Sequence, residues 1–108
     1  MTLQFPAPVA GYFAADKTDV DELVRCFAAD AVVRDEGRTY NGLAAIRKWK
    51  EGTSTKYQYT SEPLACTEAA GRVVVTSRLT GNFPGSPIDL RFFFKLAGDR
   101  IASLEITS

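Results

Sequence analysis

Between Cys26 and Trp49 the chain reads CFAADAVVRDEGRTYNGLAAIRKW, and this stretch admits few folds because its hydrophobic period changes twice within it. It leaves an amphipathic helix, passes through an apolar strand ending on Asp35, turns at Glu36-Gly37-Arg38, and enters a helix carrying Leu43, Ile46 and Trp49 on one face. A carboxyl that follows Ala31, Val32 and Val33 emerges where a sheet opens from a packed core. Burial there can tune a pKa for chemistry. A second reading of Asp35 is purely local: it caps the turn or pairs with Arg38. The first reading makes the stretch the wall of a pocket.

The rest of the chain supplies the partners of this segment. Val9, Tyr12 and Phe13 share a face of a short first helix that begins near Pro8, a residue tolerated in a first turn. Asp19 has the place of an N-cap with Glu22 three residues on, and Val20, Leu23, Val24, Phe27 and Ala28 follow as one helical stripe. A third helix starts after Asn41, with Gly52 near its end. Past Thr53 the period becomes that of strands. Tyr57 and Tyr59 alternate with Lys56, Gln58 and Thr60, and three further strands are expected at 72–80, 88–96 and 100–107. Ala70-Gly71 and Gly98-Asp99 suit hairpins, and Pro84-Gly85 has the order of a type II turn. Helices first and antiparallel strands afterwards mean an α+β fold.

Composition narrows the function. The 108 residues fit one domain spanning 1–108, and thirteen basic residues balance thirteen acidic ones without a run of either sign. Neither a nucleic-acid partner nor a membrane surface is expected of such a charge pattern. No signal-like or membrane-length apolar stretch occurs, which places the expectation in the cytoplasm. Cys26 and Cys66 are expected as reduced core thiols. Histidine is absent altogether. That removes Ser-His-Asp and Cys-His activation and the commonest zinc ligands, so neither a metal nor a nucleophilic triad is expected. Any acid or base has to be Asp, Glu, Tyr, Lys or Cys.

With the elements in order, YFAADKTDVDELVRCFAADAVVRDE, the following G-x-x-A-I-R-x-W helix and the closing GDRIASLEI resemble the SnoaL-like polyketide cyclase group of the nuclear transport factor 2-like superfamily, over about residues 6 to 106. The resemblance implies a cone-shaped curved antiparallel sheet wrapped around three helices from the N-terminal half, enclosing a mostly apolar pocket. It also implies a homodimer formed through the sheet face and no cofactor. Its fold hosts isomerases, dehydratases, cyclases, epoxide hydrolases and binding proteins, so activity has to be argued from residues.

The steroid delta-isomerase branch sharpens the comparison. Its general base matches Asp35 and its oxyanion tyrosine matches Tyr12, but Phe92 stands where that enzyme has a second, protonated aspartate. Losing such a donor costs on the order of a hundredfold in rate, so ketosteroid isomerisation is not expected. Leu90, Phe92 and Phe94 are expected to point inward, with Asp89, Arg91, Phe93 and Lys95 outward and Phe93 at a dimer seam. Asp89 and Arg91 would form a surface or intersubunit ion pair. Phe27, Val33, Trp49 and Leu104 join Phe92 and Phe94 as pocket residues, Tyr57 and Tyr59 offer ring faces to a planar ligand, and parity leaves Arg78 on either face. Three functions stay open: an enzyme moving a proton in a small hydrophobic substrate with Asp35 as base, a non-catalytic carrier of an apolar metabolite, and a dimerisation module.

Overall fold

Local signals set the helix starts, and tertiary hydrogen bonds set one of the ends. The computed structural model describes residues 4–16, 19–56 and 58–107. Helix α1 (Ala7–Ala15) has Pro8 in its first turn, where a missing N–H costs nothing, and it buries Val9, Tyr12 and Ala15. Helix α2 (Val20–Arg25) is capped by Asp19, whose carboxylate accepts from the backbone N–H groups of Asp21 at 2.9 Å and Glu22 at 3.3 Å. Helix α3 (Gly42–Lys56) is the long one.

Two expected boundaries move. The stripe through Phe27 and Ala28 is not helical, because α2 stops at Arg25 and both residues begin strand β1 (Phe27–Asp35). The Cys26 carbonyl accepts the Ile101 N–H at 2.7 Å, so the last strand draws the chain into the sheet before another helical turn can form. A helix this short has little propagation energy with which to resist. Likewise α3 runs beyond Gly52 and takes in Lys56, and strand β3 begins only at Tyr59. Tyr57, expected on that strand, lies outside the described residues.

The remaining strands are β2 (Arg38–Asn41), β3 (Tyr59–Ala69), β4 (Arg72–Gly81), β5 (Ile88–Ala97) and β6 (Arg100–Thr107), in the sheet order β2-β1-β6-β5-β4-β3. The expected antiparallel run holds for every neighbouring pair except β1 with β6, which is parallel, so the sheet is mixed. It curves without closing. Its two edges are β2, only four residues long, and β3, which carries Pro63 and a bulge before Ala65. Proline, a bulge and brevity are all devices that keep a free edge from pairing with another chain.

Strand alternation then builds the interior. Val73, Val75, Ser77 and Leu79 of β4 face Phe94, Phe92, Leu90 and Ile88 of β5, and Leu104 and Ile106 of β6 continue these rows to Val33 and Asp35 of β1. Helix α1 closes the bowl with aromatic contacts. Tyr12 meets Phe94 edge-on with ring centroids 5.5 Å apart, and Phe13 meets Phe92 at 5.3 Å. On the outer face Phe93 is half-buried beneath the Arg72 guanidinium, 4.7 Å from its ring. Among the described residues no helix is long and apolar enough to cross a membrane.

Candidate functional site

The inward row Ala31, Val33, Asp35 of β1 follows directly from the two-residue period, and Asp35 is the point at which that row reaches the open end of the bowl. The chain then reverses through Glu36 and Gly37, with φ of 53° and 76°, so Asp35 pairs with Arg38 across the hairpin backbone. Two consecutive left-handed residues match the twist of the flanking strands. The Asp35 side chain is half-buried. The Trp49 indole N–H donates to its Oδ2 at 3.0 Å, and the neighbouring Glu36 backbone N–H favours its charged form. The local reading of Asp35 as a turn cap therefore has a physical counterpart, while no ion pair joins its side chain to Arg38 among the described residues.

Desolvation is the largest influence on Asp35 and raises its pKa. The Trp49 hydrogen bond, Lys50 and the Glu36 N–H pull the other way, and the Glu36 carboxylate adds to the rise; the net direction is up. Such a carboxyl is a stronger base than an exposed one once ionised.

Asp35 opens into a cavity of about 350 Å³. One wall is the sheet with its β4–β5 loop: Leu79, Phe83, Pro84, Ile88, Leu90, Phe92 and Ile106. The opposite side is polar, formed by Tyr12 and Asp16 of α1 and its cap, by Trp49, Lys50 and Thr53 of α3, and by Tyr59 of β3. Lys50 is 4% exposed. Its ammonium forms an ion pair with Asp16, donates to the Tyr59 hydroxyl at 2.8 Å, and lies 5.5, 5.6 and 5.9 Å from the ring centres of Tyr59, Trp49 and Tyr12. Desolvation pushes Lys50 down, yet Asp16 and Tyr59 together outweigh it and its pKa ends above the ordinary lysine value. Burial, with Asp16, Tyr59 and Asp35 nearby, drives the Tyr12 phenol well above its usual value, so this hydroxyl stays neutral and able to donate.

Of the residues singled out from the sequence, Asp35, Tyr12, Trp49, Tyr59 and Phe92 come together on this cavity. Phe27, Val33, Phe94 and Leu104 do not line it; they are buried in the packed core around it. Arg78 is on the outer face, where it makes a two-pronged bond to Asp89 at 2.9 and 3.3 Å. Asp89 is therefore taken by Arg78 across the β4–β5 register, and among the described residues no ion pair within the chain joins it to Arg91.

Asp16 and Lys50 also line the site, and no motif in the sequence points to them. The signal was nonetheless in the periodicity: Asp16 falls four residues after Tyr12 and Lys50 four after Ile46, so each interrupts an apolar helical stripe with a charge. Among the described residues no three side chains of metal-ligating type converge as a binding shell would require.

Gly81 fixes where Tyr59 can sit. It pairs with Tyr59 in the β3–β4 register, and a Cβ added there would run into the Gln58 carbonyl oxygen and come within 2.7 Å of Tyr59 Cβ. Backbone cannot yield cheaply, so Gly81→Ala is expected to cost about 1–3 kcal/mol. A lowered urea midpoint with an unchanged slope is the measurement that checks it.

Among proteins of curated function none matches the chain. A solved structure from Sinorhizobium meliloti, provisionally designated a polyketide cyclase, is 40% identical over 95% of both chains with a TM-score of 0.91. A Catenulispora acidiphila protein with a ketosteroid isomerase-like fold, crystallised with trimethylamine, is 23% identical, covering 97% of this chain and 87% of its own, with a TM-score of 0.83. The epoxide hydrolase/cyclase-like enzyme SalBIII of salinomycin pyran formation is 24% identical over 92% and 85% of the two chains, at a TM-score of 0.77. The last two establish likeness of fold. The SnoaL-like domain profile matches residues 9–104, and with that span of the chain accounted for, this protein belongs to the SnoaL-like domain family.

Proposed function

We propose that this protein binds a compact hydrophobic carbonyl compound in the cavity and moves a proton on it without a cofactor, with Asp35 as the base. The observation that carries the reading is the position of Asp35: a desolvated carboxyl, held by the Trp49 indole, facing an apolar wall within a cavity whose other side offers hydrogen-bond donors. A volume of about 350 Å³ suits a guest of one to three rings. The polyketide cyclase designation of the Sinorhizobium protein supports a keto-bearing, ring-forming substrate class. A carrier role is the second reading, favoured by the Trp49 indole N–H that already holds Asp35 as a fixed polar anchor.

Deuterium exchange at the α-carbons of 2-tetralone, followed by mass spectrometry in D2O, separates the two. Asp35→Asn is expected to slow the protein-dependent exchange by about 10²–10⁴-fold, the usual worth of a general base. Affinity for the ketone should stay within a few fold. Equal losses of exchange and affinity would make Asp35 an anchor instead. The same variant has a signature that needs no substrate. A carboxyl whose folded pKa is raised favours folding only while protonated, and that advantage disappears as pH rises through the folded value. Asp35→Asn should therefore gain stability relative to the parent between acid and neutral pH, in urea melts across that range.

A further inference from the structure

The apolar wall around Phe92 carries no side-chain donor for an enolate oxygen, so an electrophile has to come from the polar side, where α1 and α3 meet strand β3. We propose that Lys50 and Tyr59 are that electrophile, receiving the substrate oxygen opposite Asp35, with Asp16 as the residue that positions them. The inference rests on the proposed function and names the partner of its base.

The hydrogen-bond inventory supports it. An ammonium has three N–H donors; the described partners of Lys50, Asp16 and Tyr59, take two, and the lysine lines the cavity where a third can be used. The Tyr59 hydroxyl accepts from Lys50 and donates to Asp16 Oδ1 at 3.4 Å. That is long for an O–H···O bond, whose usual span is about 2.5–3.0 Å, so a substrate oxygen can replace it with little lost. Lys50 polarises this phenol, and three aromatic rings surround the ammonium and keep water away from it. In a dry site a fixed donor acts more strongly on developing charge than in water.

The position of Asp16 is otherwise hard to account for. A carboxylate just past the C-terminus of α1 opposes the helix dipole, and a buried ion pair is replaceable by apolar groups without loss of stability. Local rules are broken here, and functional sites are where such conflicts gather. Helix α3 also ties the two halves of the chemistry together: Trp49 holds the base and the next residue, Lys50, supplies the electrophile.

The step balances without an outside reagent. Asp35 takes a proton from the carbon next to the carbonyl, the C–H electron pair becomes the new C=C bond, and the carbonyl π pair moves onto oxygen. Lys50 N–H and Tyr59 O–H hydrogen-bond that oxygen. The proton on Asp35 then returns to another carbon or to the same one.

Phenolate binding tests the electrophile separately from the base. After proton abstraction Asp35 is neutral, and Asp35→Asn reproduces that state, so binding of 2-naphthol and of its methyl ether is measured in the Asp35→Asn background. The methyl ether has the same rings but cannot ionise or donate. The expected result is that 2-naphthol binds at least tenfold more tightly than the ether, and that its bound absorption spectrum shows the phenolate below the free compound's pKa. Adding Tyr59→Phe should cut that preference by about tenfold, and adding Asp16→Asn with Lys50→Met should abolish it while the ether's affinity holds. Removing both charges together avoids a stranded one, and Tyr59→Phe deletes a single hydroxyl should the former pair unfold the protein. A naphthol preference that is absent, or that survives these changes, overturns the Lys50–Tyr59 assignment and leaves the pocket reading standing. Failure of both compounds to bind at millimolar concentration overturns both.

Discussion

Lys50→Met is expected to lower the free energy of unfolding by about 3–5 kcal/mol, because it leaves the Asp16 carboxylate buried without its partner. The side chains of both members are nearly inaccessible, at 5% and 6% of their surface, so water cannot replace the lost ammonium. The aromatic contacts of the ammonium with Tyr12, Trp49 and Tyr59 disappear at the same time. Combining Asp16→Asn with Lys50→Met should recover most of the loss and come within about 2 kcal/mol of the parent, since desolvating two charges costs about what their attraction returns. The pH dependence has a definite sign. The folded pKa of Lys50 lies above its ordinary value, so the lysine's contribution is present at neutral pH and is lost on the alkaline side, as pH rises past the ordinary lysine range. Urea melts of the single and double variants at pH 7 and in alkaline buffer measure all three statements. A double variant as unstable as the single one would mean that the pair is structural in a way that its charges do not explain.

Phe94→Ala is the other large effect, expected at about 3–5 kcal/mol. Phe94 is wholly inaccessible, and its ring touches Tyr12, Phe13 and Phe92 with centroid separations of 5.5, 5.9 and 6.3 Å. Val73 and Leu104 flank it in the sheet. Truncation removes transfer energy and leaves a void bounded by a sheet on one side and α1 on the other, elements that cannot both close on it. Because Tyr12 rests on this ring, the void is also expected to loosen a wall of the cavity. Phe94→Leu keeps most of the volume and should cost under half as much. Chemical denaturation of the two variants, compared at one temperature, gives both numbers.

Much of the architecture could be read from residue order alone, and the reasons are local. Asp19 caps α2 because its carboxylate reaches N–H groups two and three residues away, an interaction complete within four residues. Pro84-Gly85 sits in a turn closed by the Ser86 N–H to the Phe83 carbonyl at 3.3 Å, with Gly85 at φ 88°, as the Pro-Gly order requires. The inward set Leu90, Phe92 and Phe94 was legible because strand period is two and three consecutive phenylalanines still divide between faces. Phe27 is ambiguous in sequence because a stripe of helical spacing describes equally a helix and a helix that hands its last apolar residue to a strand. What decided between them was the Ile101 N–H, which comes from the far end of the chain.

The candidate site divides along the same line. Asp35 and Trp49 could be placed from sequence because each continues a periodic apolar row to its end, and period is a property of neighbouring residues; for Tyr12 the period gives only a buried face, and its place in the site is what the resemblance to the isomerase branch implies. Tyr59 and Asp16 stand 43 positions apart, and nothing in either neighbourhood specifies that Lys50 will join them. That meeting depends on α1, α3 and β3 arriving at one edge of the bowl. The parallel pairing of β1 with β6 is of the same kind, since it joins strands from opposite ends of the chain across a sheet whose order only the packed structure sets. Amino-acid order by itself determined the elements, their buried faces and the carboxyl at the mouth of the cavity, all through interactions reaching no more than a helical turn or a strand repeat. Tertiary structure alone decided which charge lines the cavity with that carboxyl, because a buried ammonium is stable only where distant segments supply its counter-ion, its hydroxyl and its aromatic walls together.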